Sequence, residues 1–248
     1  MITGAAGLLG RLLAGGLGER YDVSGVDRAG SRRGEVRRVD MAKPKALDSL
    51  FAGFDTVIDL AAVPGERRRW SEVWKNNLPA TMNALEAARR ARAGRYIFAS
   101  SNRVTGMYER DPPYAAIVAG DYEGLDPQAT PLIEPSWPIR PDGPYAIGKV
   151  LGEAAARHYS DAYGLSAICL RIGTVRAEDR PRAPRHFATL LSHGDLLRLV
   201  EAAITAPADL RYGVYYGVSP NTWRFWEIDD ARHEIGYEPQ DDAERYRA

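Results

Sequence analysis

An α/β fold built on a doubly wound parallel sheet is predicted by three observations. Short runs rich in β-branched and aromatic residues alternate with amphipathic helical stretches, the pattern of successive βα units. A glycine-rich turn, Thr3-Gly4-Ala5-Ala6-Gly7-Leu8-Leu9-Gly10, stands at the start of the chain. An acid, Asp27, closes the second apolar run 17 residues beyond Gly10. Glycines at that spacing allow a tight turn and close approach of a pyrophosphate to a helix N-terminus, while a strand-end acid suits ribose hydroxyls. Together they predict a Rossmann-type fold with its ligand at the carboxyl ends of the strands.

Only Met1 and Ile2 precede the turn, so the first strand reads as clipped. Leu8, Leu9, Leu12, Leu13 and Leu17 recur at helical spacing over residues 7–19. Strands are expected at 21–27, 35–40 and 54–62, with a helix at 43–52 between the last two. A long helix at 70–92 leads to a fifth strand at 96–99. Prolines 112, 113, 127, 131, 135, 138 and 141 crowd residues 103–143, which read as a long binding loop or lid without helical period. Pro144 opens a helix to residue 163, and a sixth strand follows at 166–171. Residues 176–186 are basic and aperiodic. Ser192 is an expected cap for a helix through residue 203, with Asp195 in the reciprocal position of a capping box. A last strand is expected at 212–218, and the tail from Trp223 reads as short and polar. One domain is expected over 1–248. Its cofactor part is about 1–172; a small C-terminal substrate lobe comes from about 173–248 and the 103–143 loop.

Composition narrows the function. The 248 residues carry 33 basic and 33 acidic side chains, so no net field points to nucleic acid or to an anionic membrane. Cys169 is the single cysteine, which excludes a disulfide framework and a cysteine-rich zinc site, and its apolar surroundings predict inert packing. No metal is expected. No apolar run has the length of a membrane span and no secretory signal opens the chain, so a cytoplasmic enzyme acting on a small molecule is the expectation. A homo-oligomer is left open.

The chemistry concentrates in a few residues. Tyr145 and Lys149 are four apart and share one helix face. A nearby ammonium stabilises phenolate and lowers a tyrosine from its usual value of about 10, making Tyr145 a usable base. Lys149 can also hold the nicotinamide ribose. Ser101, at a strand end, can bond the substrate oxygen. The dinucleotide contacts are assigned to Gly4, Gly7, Leu8, Leu9, Gly10, Asp27, Asp40, Leu60, Ala61, Ala62, Asn77, Tyr145, Lys149 and Ile172. Asp40 reads equally as an adenine contact and as a surface cap. Asp27 would repel a 2′-phosphate, so NAD is preferred over NADP although Arg28, Arg32 and Arg33 follow it.

Thr3-Gly4-x-x-Gly7-x-x-Gly10, Ser101 and Tyr145-x-x-x-Lys149 resemble the extended short-chain dehydrogenase/reductases, the NAD-dependent epimerase/dehydratase superfamily, over nearly the whole chain. Within it, Phe98-Ala99-Ser100-Ser101-Asn102, Arg140-Pro141-Asp142-Gly143, Arg171-Ile172-Gly173-Thr174, Ser192-His193-x-Asp195 and Ile235-Gly236-Tyr237-x-Pro239 are similar to uronate dehydrogenases. The resemblance implies NAD-dependent oxidation of C1 of a hexuronic acid, galacturonate or glucuronate, to an aldarolactone. It makes Ser101, Tyr145 and Lys149 catalytic. It gives Asn102 and Thr174 the sugar hydroxyls, and gives Arg185, eight residues before His193, the substrate carboxylate. A planar guanidinium suits that last role, while the plain alternative for Arg185 is one more charge in a basic loop beside Arg176, Arg180 and Arg182. Two positions depart from the pattern: Arg103 replaces a histidine and Pro64 a substrate-binding serine. An extra cation at Arg103, counted among the substrate residues, fits a different or additional acid group. Two other readings are weighed. A nucleotide-sugar epimerase or dehydratase would use the same residues, but the chain after Thr174 is short for enclosing a nucleotide diphosphate. A non-catalytic dinucleotide sensor or partner-binding protein would be expected to have lost Tyr145 or Lys149.

Overall fold

Seven parallel strands run in the order β3-β2-β1-β4-β5-β6-β7 in the computed structural model, which describes residues 1–30, 36–43, 47–65 and 69–247. They are β1 (Ile2–Thr3), β2 (Gly25–Asp27), β3 (Val36–Arg38), β4 (Thr56–Asp59), β5 (Arg95–Ser101), β6 (Ser166–Ile172) and β7 (Tyr212–Gly217). The order reverses between β1 and β4, and the crevice beyond their carboxyl ends is where open α/β sheets take ligands. Register sets the level of the site. Thr3 lies opposite Val26 and Asp59, and Ser101 lies opposite Ile172. β5 and β6 are buried along their whole length, which is why they read as continuous apolar runs.

The helices are α1 (Leu8–Leu17), α2 (Asp48–Phe51), α3 (Trp70–Glu72), α4 (Leu78–Arg90), α5 (Tyr114–Ala119), α6 (Pro144–Tyr163), α7 (His186–Thr189), α8 (His193–Thr205) and α9 (Asp229–Ile235). One sheet face is covered by α1, α8 and α9 through Leu13, Leu17, Leu196, Leu199 and Ile235. The other is covered by α2, α4 and α6 through Phe51, Leu85, Ala88, Ala156 and Tyr159. Full burial of each such leucine or phenylalanine favours folding by roughly 1.5–3 kcal/mol. β7 and α8, both beyond residue 172, thus complete the main sandwich. Arg95 closes the far end of α8, donating to the carbonyls of Ala203, Ile204, Ala206 and Pro207 at 2.8–3.0 Å. Those carbonyls have no partner inside the helix. Cys169 is fully buried on β6, and burial pushes its thiol up.

Several expectations need correction. The 103–143 stretch is not a loop without helix. It begins with 3₁₀ turns over Asn102–Arg110 and continues into α5. Ile133 then bridges to Trp226. These helical pieces are too short, and too broken by proline, to show a period. The tail is not a polar appendage either: Trp226, Ile228, Ala231, Ile235 and Tyr237 are buried. Tyr114, Ile117, Ile133, Phe225 and Trp226 form a third cluster that joins the inserted stretch to the tail. The 176–186 segment leads into the one-turn helix α7. The 70–92 helix exists, but with a π turn over Val73–Asn77. The second strand is only Gly25–Asp27 and the fourth only Thr56–Asp59. β3 begins at Val36, and expectations at Arg32, Arg33, Glu35 and residues 44–46 fall outside the described residues.

Candidate active site

The glycine turn is built where β1 meets β4. Thr3 donates through Oγ1 to the Asp59 carboxylate at 2.5 Å and accepts from the amides of Leu60 and Ala61. Tyr96 donates to the other Asp59 oxygen at 2.6 Å. Burial pushes the Asp59 carboxyl up, opposed by these hydrogen bonds and by the charge of Lys149. Gly4 has φ +68° and lies so close to β4 that a Cβ would stand 2.8 Å from the Leu60 carbonyl oxygen. At Gly10 a Cβ would stand 2.5 Å from the Ala5 Cα, so α1 can pack only on a glycine. No side chain caps α1 at Gly7, which leaves its amide end to an anion. Asp27 sits at the turn, accepting from Ala6 N at 3.2 Å and Ala29 N at 2.8 Å.

A cleft of about 440 Å³ runs from this turn across the sheet edge. Its walls include every residue assigned to the dinucleotide, from Gly4, Gly7, Leu8, Leu9, Gly10, Asp27 and Asp40 through Leu60, Ala61, Ala62 and Asn77 to Tyr145, Lys149 and Ile172. A backbone cradle that a Cβ would fill, next to a fixed carboxylate, fits a dinucleotide. Arg28 and Pro64 also line the cleft. Asp40 accepts from Ala42 N, so it caps a local turn while facing the cavity. Asn77 accepts from the amide of Val63 and donates to its carbonyl, pinning the segment after β4. The π turn that ends at Asn77 places it there, as such turns often do at sites.

Ser101, Tyr145 and Lys149 meet in the same cleft. Lys149 is buried and donates through Nζ to the Ala99 carbonyl at 2.5 Å. Its ammonium lies 5.6 Å from the Tyr145 ring centre and 4.7 Å from that of Phe98. One turn further along α6, Glu153 accepts from Ser100 Oγ at 2.5 Å and from Arg171 at 3.0 and 2.9 Å. That network locks the helix bearing Tyr145 to β5 and β6. Ser100 and Arg171 fall within the motifs quoted above, while Glu153 carried no sequence signal beyond falling on a helix.

Apart from Ser101, the expected substrate residues lie just outside the lining. Asn102 follows Ser101 and is buried, and its Nδ2 has no hydrogen-bond partner among the described residues. Arg103 forms an ion pair with Asp142. Thr174 follows Gly173 and shares a 2.7 Å hydrogen bond with Thr189 Oγ1. Arg185 donates to Thr174 Oγ1 at 3.1 Å, and its Nε and Nη2 grip both oxygens of Glu109 at 2.6 Å. It is separate from the neighbouring basic residues, since Arg176 and Arg182 face Glu178. Glu109 was not anticipated, because nothing in an aperiodic stretch marks it. The reciprocal cap at Asp195 also fails: Ser192 caps α8 as expected, but the Asp195 carboxylate accepts from Ser219, Gln240 and Asp241. Its side chain thereby holds the tail.

A parallel sheet reversing at β1 and β4, with a glycine cradle, a strand-end acid and a Tyr-Lys pair in one cleft, defines a dinucleotide-binding α/β protein of the dehydrogenase type. Residues 1–196 match the model of the NAD dependent epimerase/dehydratase family, and the chain belongs to that family. It is 32% identical to a uronate dehydrogenase of Pseudomonas putida over 255 residues, covering 100% of this chain and 86% of that one. It is 30% identical to an NAD-dependent glucose-6-phosphate dehydrogenase of Haloferax volcanii, covering 99% and 94%. A solved structure described as a mutated uronate dehydrogenase superposes with a TM-score of 0.83 at 33% identity, covering 99% of this chain and 82% of that one.

Proposed function

We propose that the protein is an NAD-dependent dehydrogenase that oxidises C1 of a hexuronic acid to an aldarolactone. One observation carries this reading: Ser101, Tyr145 and Lys149 face the same cleft as the glycine cradle, so a sugar carbon and a nicotinamide can meet at the tyrosine. NAD supplies a hydride acceptor when bound. Tyr145 takes the proton of the C1 hydroxyl, and Ser101 orients that oxygen as the carbonyl forms. Lys149, anchored on the Ala99 carbonyl, holds its Nζ 5.6 Å from the Tyr145 ring centre and serves the nicotinamide ribose. The unpartnered Asn102 amide serves a sugar oxygen, and Thr174 serves another. Asp27 reads the adenosine ribose. The third cluster, joining 103–143 to the tail, forms the lobe at the sugar end. A reducing, NAD-rich compartment such as the cytoplasm suits a chain whose one cysteine is buried.

Uronate dehydrogenases at 32 and 34% identity, covering all of this chain, support the hexuronate. A second reading, oxidation of a sugar without a carboxylate, is favoured by the Glu109 carboxylate in the fork of Arg185. The test is NADH formation on galacturonate, glucuronate, neutral aldoses and UDP-sugars. Turnover of free hexuronates is expected, and turnover confined to UDP-sugars contradicts the proposal.

A further inference from the structure

The carboxylate site expected at Arg185 already holds a carboxylate. Glu109 engages it through two parallel bonds of 2.6 Å, and the two side chains are only 18% and 11% exposed. This is the geometry in which a guanidinium binds a substrate carboxylate. Glu109 is not a loose surface residue that drifts away. It belongs to the Asn102–Arg110 turns that start directly after Ser101. Met107 N bonds the Arg140 carbonyl and Arg140 N bonds that of Val104. Thr105 Oγ1 hydrogen-bonds Tyr216 and accepts from Trp226 Nε1. The turns that lead to Glu109 are therefore fastened to Arg140, Tyr216 and Trp226.

The charges sharpen the point. Arg185 and Glu109 neutralise one another, so an arriving substrate carboxylate meets a closed pair and a like charge. It gains the fork only by displacing Glu109, and like charges set side by side disfavour binding. A sugar with a hydroxyl at that end meets no such opposition, since Glu109 keeps acceptor capacity beyond its two bonds.

We infer that Glu109 is a specificity-determining residue, an internal competitor that holds the fork of Arg185 against the carboxylate of the substrate and sets the balance between hexuronates and neutral aldoses. The inference rests on the reading that this cleft oxidises C1 of a sugar whose other end reaches Arg185, just outside the lining.

The test is calorimetric titration of the wild type, Glu109→Gln and Glu109→Ala, each saturated with NADH, with glucuronate and with glucose. Saturation with NADH prevents turnover. Thermal melting and NADH affinity report folding, and glutamine keeps the shape of the side chain should alanine disturb the turns. The expected result is an affinity for glucuronate at least tenfold higher in both variants, with glucose unchanged or weaker. Unchanged or weakened glucuronate binding in both variants overturns the inference. Turnover assays on the wild type separate the two readings. If the wild type oxidises no hexuronate while both variants bind glucuronate more tightly, the hexuronate proposal fails and the role of Glu109 stands. If the wild type oxidises hexuronates and neither variant binds them better, the reverse holds.

Discussion

Replacing Glu153 by glutamine removes one charge from a pair whose side chains are 8% and 4% exposed. Glu153 takes two bonds from Arg171 and one from Ser100, and the substitution leaves the Arg171 guanidinium buried without its counter-charge. Breaking one side of such a pair costs about 3–5 kcal/mol. The glutamine oxygen still accepts one bond, so the lower end, about 3 kcal/mol, is expected. For a chain of this size each kcal/mol moves the melting temperature by about 2–4 °C, giving a fall of roughly 6–12 °C. The assay is thermal unfolding followed by circular dichroism, with Glu153→Leu combined with Arg171→Met as the comparison. Removing both charges should recover much of the loss, because two apolar groups of similar volume leave no buried charge without its counter-charge. A loss under about 1 kcal/mol, or a double variant no better than the single, refutes the view that this pair locks α6 to the sheet.

The remaining predictions concern the site and the acid limb of stability. Tyr145→Phe should lower kcat by at least about 10²-fold, the scale of a lost general base. NADH fluorescence should meanwhile show unchanged cofactor binding; ample residual turnover removes Tyr145 from the base role. Asp27→Ala should erode the preference for NAD over NADP in kcat/KM, and an unaltered ratio means that another residue reads the ribose. Hydrogen bonds from Arg89, with Arg90 and Tyr159 adding to them, hold the Glu86 carboxyl down from 4.5 to about 2. Its folded value lies below the unfolded one. The stabilising contribution is therefore present above about 4.5 and is lost as the pH falls through about 2. Glu86→Gln should flatten the stability curve across that window at low salt. The effect is small and salt-sensitive, because the group faces solvent; curves that stay parallel contradict it.

The framework of the fold was legible because its signals are local. Leucines at helical spacing mark α1, continuous apolar runs mark β5 and β6, and Tyr145 and Lys149 fall one turn apart on a helix. What stayed hidden depends on residues distant in sequence. Glu109 and Arg185 are 76 residues apart, and neither position reveals the other. Ser192-x-x-Asp195 has the spacing of a capping box, yet tertiary donors 24, 45 and 46 residues away take the Asp195 carboxylate. Trp226 and Tyr237 sit among charged residues in the sequence; Trp226 becomes core only when α5 and the Ile133 bridge cover that end of the sheet, and Tyr237 only by joining the face packed by α1, α8 and α9. The π turn at Val73–Asn77 left the apolar pattern of its helix too little changed to be read.

Hydride transfer from C1 of a sugar acid is the central claim, and isotope transfer tests it most directly. The enzyme is incubated with NAD and galacturonate deuterated at C1, and the reduced cofactor is analysed by mass spectrometry and proton NMR. Deuterium on the nicotinamide ring together with an aldarolactone product is the predicted result. Reduced cofactor without deuterium, or label retained in a sugar that has lost no hydride, contradicts it.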